Sequence, residues 1–383
     1  RPADAARLAY VPPSPLCPEA GTGWRAEQNG SMKMLKKTIA AAAVLAATLG
    51  APAVAAPKTD FKIAWTVYVG WMPWGYLESS GIMDKWASKY GINVELVQAD
   101  DYVGSIEQFA AGELDGVTAT NMDALSIASG AGMDSTALIV GDYSNGNDAI
   151  IVKNGSGLGD LAGRNVQLVE YSASHYLLFR ALQAAGMSET SLGGVTHISD
   201  ADILDAYSAG SIDATVTWNP MASTILADPS ASVVYDSSDI PGEIIDIMFV
   251  STVVLNDNPA LGKALTGAWY EVMAQIAAFD EAALAQMAGA SGTDIPGFMS
   301  QMASTEMFFE AATAVGFSEG GVLKETMVNM TDFLFANGIL GENATSADYI
   351  GVTYPDGSTT GDASNIKFRY DNSYMRMAAS GQL

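Results

Sequence analysis

The chain has 383 residues, 49% of them hydrophobic, with 43 Asp/Glu against 18 Lys/Arg and a formal net charge of -25. Such a surface repels nucleic acid and anionic membranes, so neither is expected as a partner. This length and apolar content suffice for a large core and suggest two lobes.

Met32-Lys-Met-Leu-Lys-Lys is a positive n-region, Ile39 to Leu49 an Ala-rich apolar h-region, and Ala53-Val54-Ala55 a small-residue cleavage site. This is the pattern of a secretory signal peptide at 32–55, too short and too Ala-rich for a stable membrane span. Residues 1–31 contain Pro-Pro and no periodicity, and are read as spurious upstream translation outside the fold. Cys17, the single cysteine, lies there, so no disulfide is expected in the mature chain. The cleavage site has no Cys for a lipid anchor, and the expected location is the periplasm. Residues 1–55 hold six Lys/Arg and three Asp/Glu, which leaves 12 basic and 40 acidic residues beyond them.

Beyond the leader, strands and helices alternate. Strands are expected at Lys62–Thr66, Ile92–Val97, Gly116–Thr120 and Ser135–Val140. Helices are expected between them at Leu77–Tyr90, from Asp100-Asp101-Tyr102 to Ala111, and from Asn121 to Ser129. This order predicts a mostly parallel sheet with helices on its faces, a first lobe at 58–147. A second series follows at 148–249: strands at Ala149–Lys153, Asn165–Val169, Val195–Ile198 and Ile212–Thr217, with helices at Ser172–Ala185, Asp200–Ala209 and after Pro220. The glycines of 155–163 lack the phosphate-loop spacing and the following Lys-Ser/Thr, which argues against nucleotide binding. A strand at Ile247–Leu255 is expected to return the chain to the first lobe. Helices at Ala260–Asp280, Glu281–Ala288, Ser300–Ala314 and Val322–Asn337 are expected to pack there. The remainder of 250–383 is a polar tail with a short strand at Ile366–Tyr370.

The two series echo each other. Gly112-Glu-Leu-Asp-Gly-Val-Thr-Ala-Thr-Asn121 aligns without gaps on Gly210-Ser-Ile-Asp-Ala-Thr-Val-Thr-Trp-Asn219, and an apolar helix precedes each. Gly and Asp suit the helix-to-strand turn at these places. Duplication of a lobe follows, with Asn121 and Asn219 at equivalent strand tips facing each other across a cleft.

Trp65 to Tyr76 holds three Trp and two Tyr in twelve residues, where a strand hands over to a helix. In open α/β sheets ligands bind at that handover. Gly70, Pro73 and Gly75 give the run the composition of a loop. The loops at strand tips (65–76, 98–103, 119–124, 142–148, 170–176, 217–221, 243–248) contain no Lys or Arg, the usual oxyanion ligands. They do contain Asp123, Asp142, Asp148, Glu170, Glu243 and Asp246. Aromatics plus carboxylates suit a small planar cation such as guanidinium, whose N–H groups pair with a carboxylate and whose face stacks on Trp. The expected site is Asp123 and Glu170 as anionic partners, Trp65, Tyr68, Trp71, Trp74 and Trp218 as walls, and Asn121, Asn219 and Tyr171 as polar contacts. Each carboxylate also fits a helix cap or a surface charge. His175 is expected to lie on its helix, and His197 at a strand end. Two His without mature Cys make no metal-ligand spacing and no His–Cys nucleophile pair, Gly-x-Ser-x-Gly is missing, and no cofactor is expected.

The signal peptide, the duplicated lobes, the repeated Gly-x-(Leu/Ile)-Asp-(Gly/Ala) before a strand and the helical carboxyl end resemble the periplasmic substrate-binding proteins of ABC importers. The resemblance is to the nitrate, taurine and aliphatic-sulfonate type and covers about residues 58–340. Within it, Trp65-Thr-Val-Tyr-Val-Gly-Trp-Met-Pro-Trp74 and Thr118-Ala-Thr-Asn-Met-Asp123 look most like the binding proteins encoded beside urea carboxylase, a group linked to guanidine. The resemblance implies an α/β, two-lobed type II binding-protein fold, each lobe a mostly parallel sheet flanked by helices, with the ligand cleft between. It also implies a hinge near Asn147 and Phe249, a monomer without enzymatic activity, a ligand such as guanidinium or urea, and an inner-membrane permease as partner. The Lys- and Arg-free loops depart from the anion-binding relatives. Two alternatives are a nitrate or sulfonate binder and an enzyme like thiamine-pyrimidine synthase on the same fold. Such enzymes are expected to depend on cysteines that the mature chain lacks.

Overall fold

The computed structural model describes residues 57–383. The expected leader at 32–55, the segment before it and Cys17 lie outside the described residues. No helix among the described residues is long and apolar enough to cross a membrane.

In chain order the strands are β1 Asp60–Trp65, β2 Asn93–Gln98, β3 Gly116–Thr120, β4 Ser135–Ser144, β5 Ala149–Lys153, β6 Asn165–Leu168, β7 Gly194–His197, β8 Ala214–Thr217, β9 Ala231–Asp236, β10 Ile245–Ser251, β11 Thr305–Met307, β12 Gly351–Thr353, β13 Thr359–Thr360 and β14 Ile366–Tyr370. They form two sheets among the described residues. The larger runs β13-β12-β14-β4-β10-β3-β1-β2, with β11 added to β4; the smaller runs β7-β6-β8-β5-β9. Strands joined by helical crossovers pair in parallel, as in β1 with β2 and β3, and β6 with β7 and β8. That follows from the alternating pattern, because a parallel pair needs a crossover connection. The strands next to the crossings run antiparallel: β10 to β3 and β4, and β5 to β8 and β9. Each sheet is therefore mixed, with a parallel half of βα units.

The chain passes to the second sheet between Ser144 and Ala149 and back between Asp236 and Ile245. The return lies ahead of the expected boundary at 249, because β10 is already hydrogen-bonded into the first sheet from Ile245 onward. The strand ends at Ser251. The chain then turns helical over Thr252–Asp257 rather than staying extended to Leu255.

Three further expectations need correction. The helix expected at Leu77–Tyr90 is two helices, Met72–Ser79 and Ile82–Lys89, broken at Gly81 with φ 75°. The first begins inside the aromatic run, where Pro73 occupies the first turn, a place that needs no amide donor. Position 75 on this helix is glycine because a Cβ there would stand 2.7 Å from the Trp65 ring. The helix expected at Ser300–Ala314 is instead Ile295–Met302, strand β11 and Ala311–Ser318. The tail is not appended to the fold but completes it: β14 pairs with β4, β12 with β14, and Phe368 is fully buried.

Candidate functional site

The aromatic run leaves β1 and tightens into a single turn at Val69–Trp71 before the helix Met72–Ser79. That geometry separates its three Trp. Trp71 packs between Tyr68 and Tyr102. Trp74 goes into the core, stacked on Trp269 with ring centroids 5.1 Å apart. Trp65 is buried against Gly75.

A small cavity of about 20 Å³ lies between the lobes. The first lobe lines it with Tyr68, Trp71, Tyr102 and Thr120, and the second with Trp218 and Ser172, Ala173 and Ser174. Asp148, just before β5, and Asp246, on β10, complete the lining. Neither Lys nor Arg is among these residues. The four aromatics form a connected box. Trp71 meets Tyr68 edge-on at 4.9 Å and stacks on Tyr102 at 5.8 Å, and Tyr102 meets Trp218 edge-on at 5.8 Å.

Buried carboxylates stand beside these rings and in the cavity lining. Asp123 accepts hydrogen bonds from the Tyr102 hydroxyl at 2.6 Å and the Thr120 hydroxyl at 2.8 Å, and so fixes the Tyr102 ring. Burial pushes its carboxyl up to about 6, opposed by those bonds and by the Ala173 amide. Asp142 accepts from Tyr68 and Thr305 and is fully buried. Asp148 accepts from Ser144 and is pushed up to about 7, by burial first and then by Asp142 and Asp123. Asp246, 3% exposed, is raised well above the carboxylate range by burial and by Asp142 beside it. Charged carboxylates in such surroundings are costly unless a cation or a proton neutralises them.

The lobes meet around this cavity. The Val69 amide donates to the Asn219 carbonyl at 3.1 Å, Trp218 Nε1 to the Val67 carbonyl at 3.1 Å, and the Tyr102 amide to Asp200 at 3.2 Å. Tyr176 and Phe179 of the second lobe pack on Phe333, with centroids 5.0 and 4.7 Å apart. This is a closed arrangement.

Of the residues expected from sequence, Tyr68, Trp71 and Trp218 line the cavity and Asp123 stands behind it. Trp65 and Trp74 do not reach it. Glu170 and Tyr171 do not line it either: Tyr171 is 49% exposed, and the Glu170 amide donates to His197 Nδ1. They precede the helix Ala173–Ala184, whose cap Ser172 faces the cavity in their place. Asn121 and Asn219 hold the chain at the crossings. Asn121 donates to the Glu243 carbonyl and accepts from the Ile245 amide, while the Asn219 amide donates to Asn147 and its side chain to Ser304. Glu243 pairs with Arg180 and Tyr176 rather than facing the cavity. His175 lies on its helix beside Glu189, at 2.8 Å. Sequence reasoning missed Tyr102, which reads as a helix start. It named Asp148 and Asp246 among the loop acids without selecting them.

The comparisons with known proteins agree with this architecture. A curated Escherichia coli K12 protein, named provisionally for binding aliphatic sulfonates, is 36% identical over 81 residues, 21% of this chain and only 25% of that protein's length. The alkanesulfonate-binding protein of Xanthomonas axonopodis pv. citri, solved with bound MOPS, has a TM-score of 0.60 at 18% identity over 75% of this chain and 96% of that one. The aliphatic sulphonate-binding protein of Escherichia coli gives 0.60 at 21% identity, over 74% and 94%. The nitrate-binding protein of Synechocystis PCC 6803 gives 0.53 at 12%, over 84% and 98%. At these identities the structures show a shared periplasmic binding-protein fold. The family model described as the NMT1-like family matches residues 64–290, more than half of the sequence, and the chain belongs to that family.

Proposed function

We propose that this protein is the periplasmic solute-binding component of an ABC importer and captures a small planar nitrogen cation, guanidinium foremost, for delivery to a membrane permease. The observation that carries the reading is the cavity itself: four aromatic rings, the buried carboxylates Asp148 and Asp246, and no Lys or Arg in the lining. A desolvated cation over an aromatic face gains about 2 kcal/mol, and a hydrogen bond to a charged partner adds roughly 1.5–3 kcal/mol. Closure of the two lobes over the ligand presents the closed form to the permease. The role is capture without catalysis.

A second reading, capture of a sulfonate or nitrate, is favoured by the opening of the helix Ala173–Ala184 onto the cavity, since helix N-termini attract anions. The relatives' names point the same way. Against it, Asp148 and Asp246 repel an anion once ionised. A thermal-shift panel of guanidinium, urea, taurine and nitrate separates the two. The cation reading expects a rise in Tm with guanidinium and none with taurine or nitrate; a rise with an anion alone sinks it.

A further inference from the structure

Asp246 lines the cavity, and Asp142 lies directly behind it on the neighbouring strand, opposite in register. Both are buried, and each has one carboxylate oxygen, Oδ2, without a protein donor. The other oxygen of Asp142 takes the Tyr68 and Thr305 hydroxyls. The groups acting on the pair are each other, Asp148, Tyr68 and Thr305, and none is cationic. Two adjacent buried carboxylates without a counter-ion hold one proton between them.

We infer that the Asp142–Asp246 pair is the selectivity element that distinguishes a planar cation from its neutral isostere, giving up its shared proton when guanidinium enters and keeping it when urea does. This inference rests on the cation reading of the same cavity. Asp246 is the contacting residue and Asp142 is a positioning residue acting through it. The exchange balances: one guanidinium enters, one proton leaves the pair for solvent, and the net charge of the site is unchanged. The raised carboxyls of Asp246 and Asp142, both driven first by burial, agree with a pair that is protonated before the cation arrives.

The test is calorimetric titration of the wild-type protein with guanidinium and with urea at pH 7, in phosphate and in Tris. The two buffers differ in ionisation enthalpy, so the difference in heat counts protons. The expected result is release of about one proton or more per guanidinium and none per urea. Guanidinium affinity should rise about tenfold per pH unit between pH 5 and pH 7, while urea affinity stays level. In Asp142→Asn the amide donates to Asp246 and holds it ionised. That variant should release about one proton fewer and show a flatter guanidinium-to-urea ratio against pH. The wild-type proton count stands even if the variant does not fold. Guanidinium binding with no proton release overturns this inference alone. No binding of guanidinium overturns the cation reading, and the inference with it.

Discussion

Trp71 and Trp74 stand three residues apart and face different things. Trp71 is in the aromatic box, and Trp74 is locked against Trp269 in the core. Trp71→Ala should weaken guanidinium binding by roughly 10- to 30-fold, the loss of one desolvated cation–π contact, as read by titration. Trp74→Ala should instead lower stability by about 3–5 kcal/mol, as read by denaturant unfolding. The aromatic run and the lack of Lys/Arg were legible in the sequence. Which carboxylates turn inward was not, because a loop assignment gives no side-chain direction. Glu170 and Asp246 look alike as loop acids, yet Asp246 points inward from a strand buried between two others. Asp148 carries a separate consequence for stability. Its folded pKa, about 7, lies above its ordinary value of 3.8. Its stabilising contribution is therefore full in acid, below 3.8, and is lost as pH rises through about 7. Asp148→Asn should raise Tm at pH 8 more than at pH 5; an equal effect at both, followed by calorimetry or circular dichroism, contradicts this.

At the scale of elements, the crossings are held by asparagines. Asn147 accepts from the Asn219 amide and donates to Ser304, and Asn121 clamps the return at Glu243 and Ile245. The ten-residue repeat placed Asn121 and Asn219 at strand tips, and both do follow the ends of equivalent strands, β3 and β8. Their side chains hold the connections there, and neither lines the cavity. Asn147→Ala removes partners from Asn219 and Ser304 and should cost about 1–3 kcal/mol, read as weaker ligand binding and less ligand-induced compaction in small-angle scattering. Alternation of period made the βα units legible. Strand β11 was not, because three residues beside β4 carry no periodicity of their own, and a Gly/Pro-containing run hid the helix Met72–Ser79.

For the whole molecule, two lobes followed from the βα order and the internal repeat, and the larger sheet's far edge did not. Strands β12, β13 and β14 are two to five residues long; β14 pairs with β4, and β12 and β13 add on beyond it. The net charge of -25 adds long-range attraction for a cation, screened over about 8 Å at physiological salt. The association rate of guanidinium should therefore fall as salt rises, while a neutral ligand's rate stays level; stopped-flow tryptophan fluorescence reads both. The central claim is the sign of the ligand's charge. Isothermal titration of the protein with guanidinium, taurine and nitrate under one set of conditions tests it most directly. Saturable one-to-one binding of guanidinium with no heat from either anion is the predicted result, and saturable binding of taurine or nitrate with none of guanidinium would contradict it.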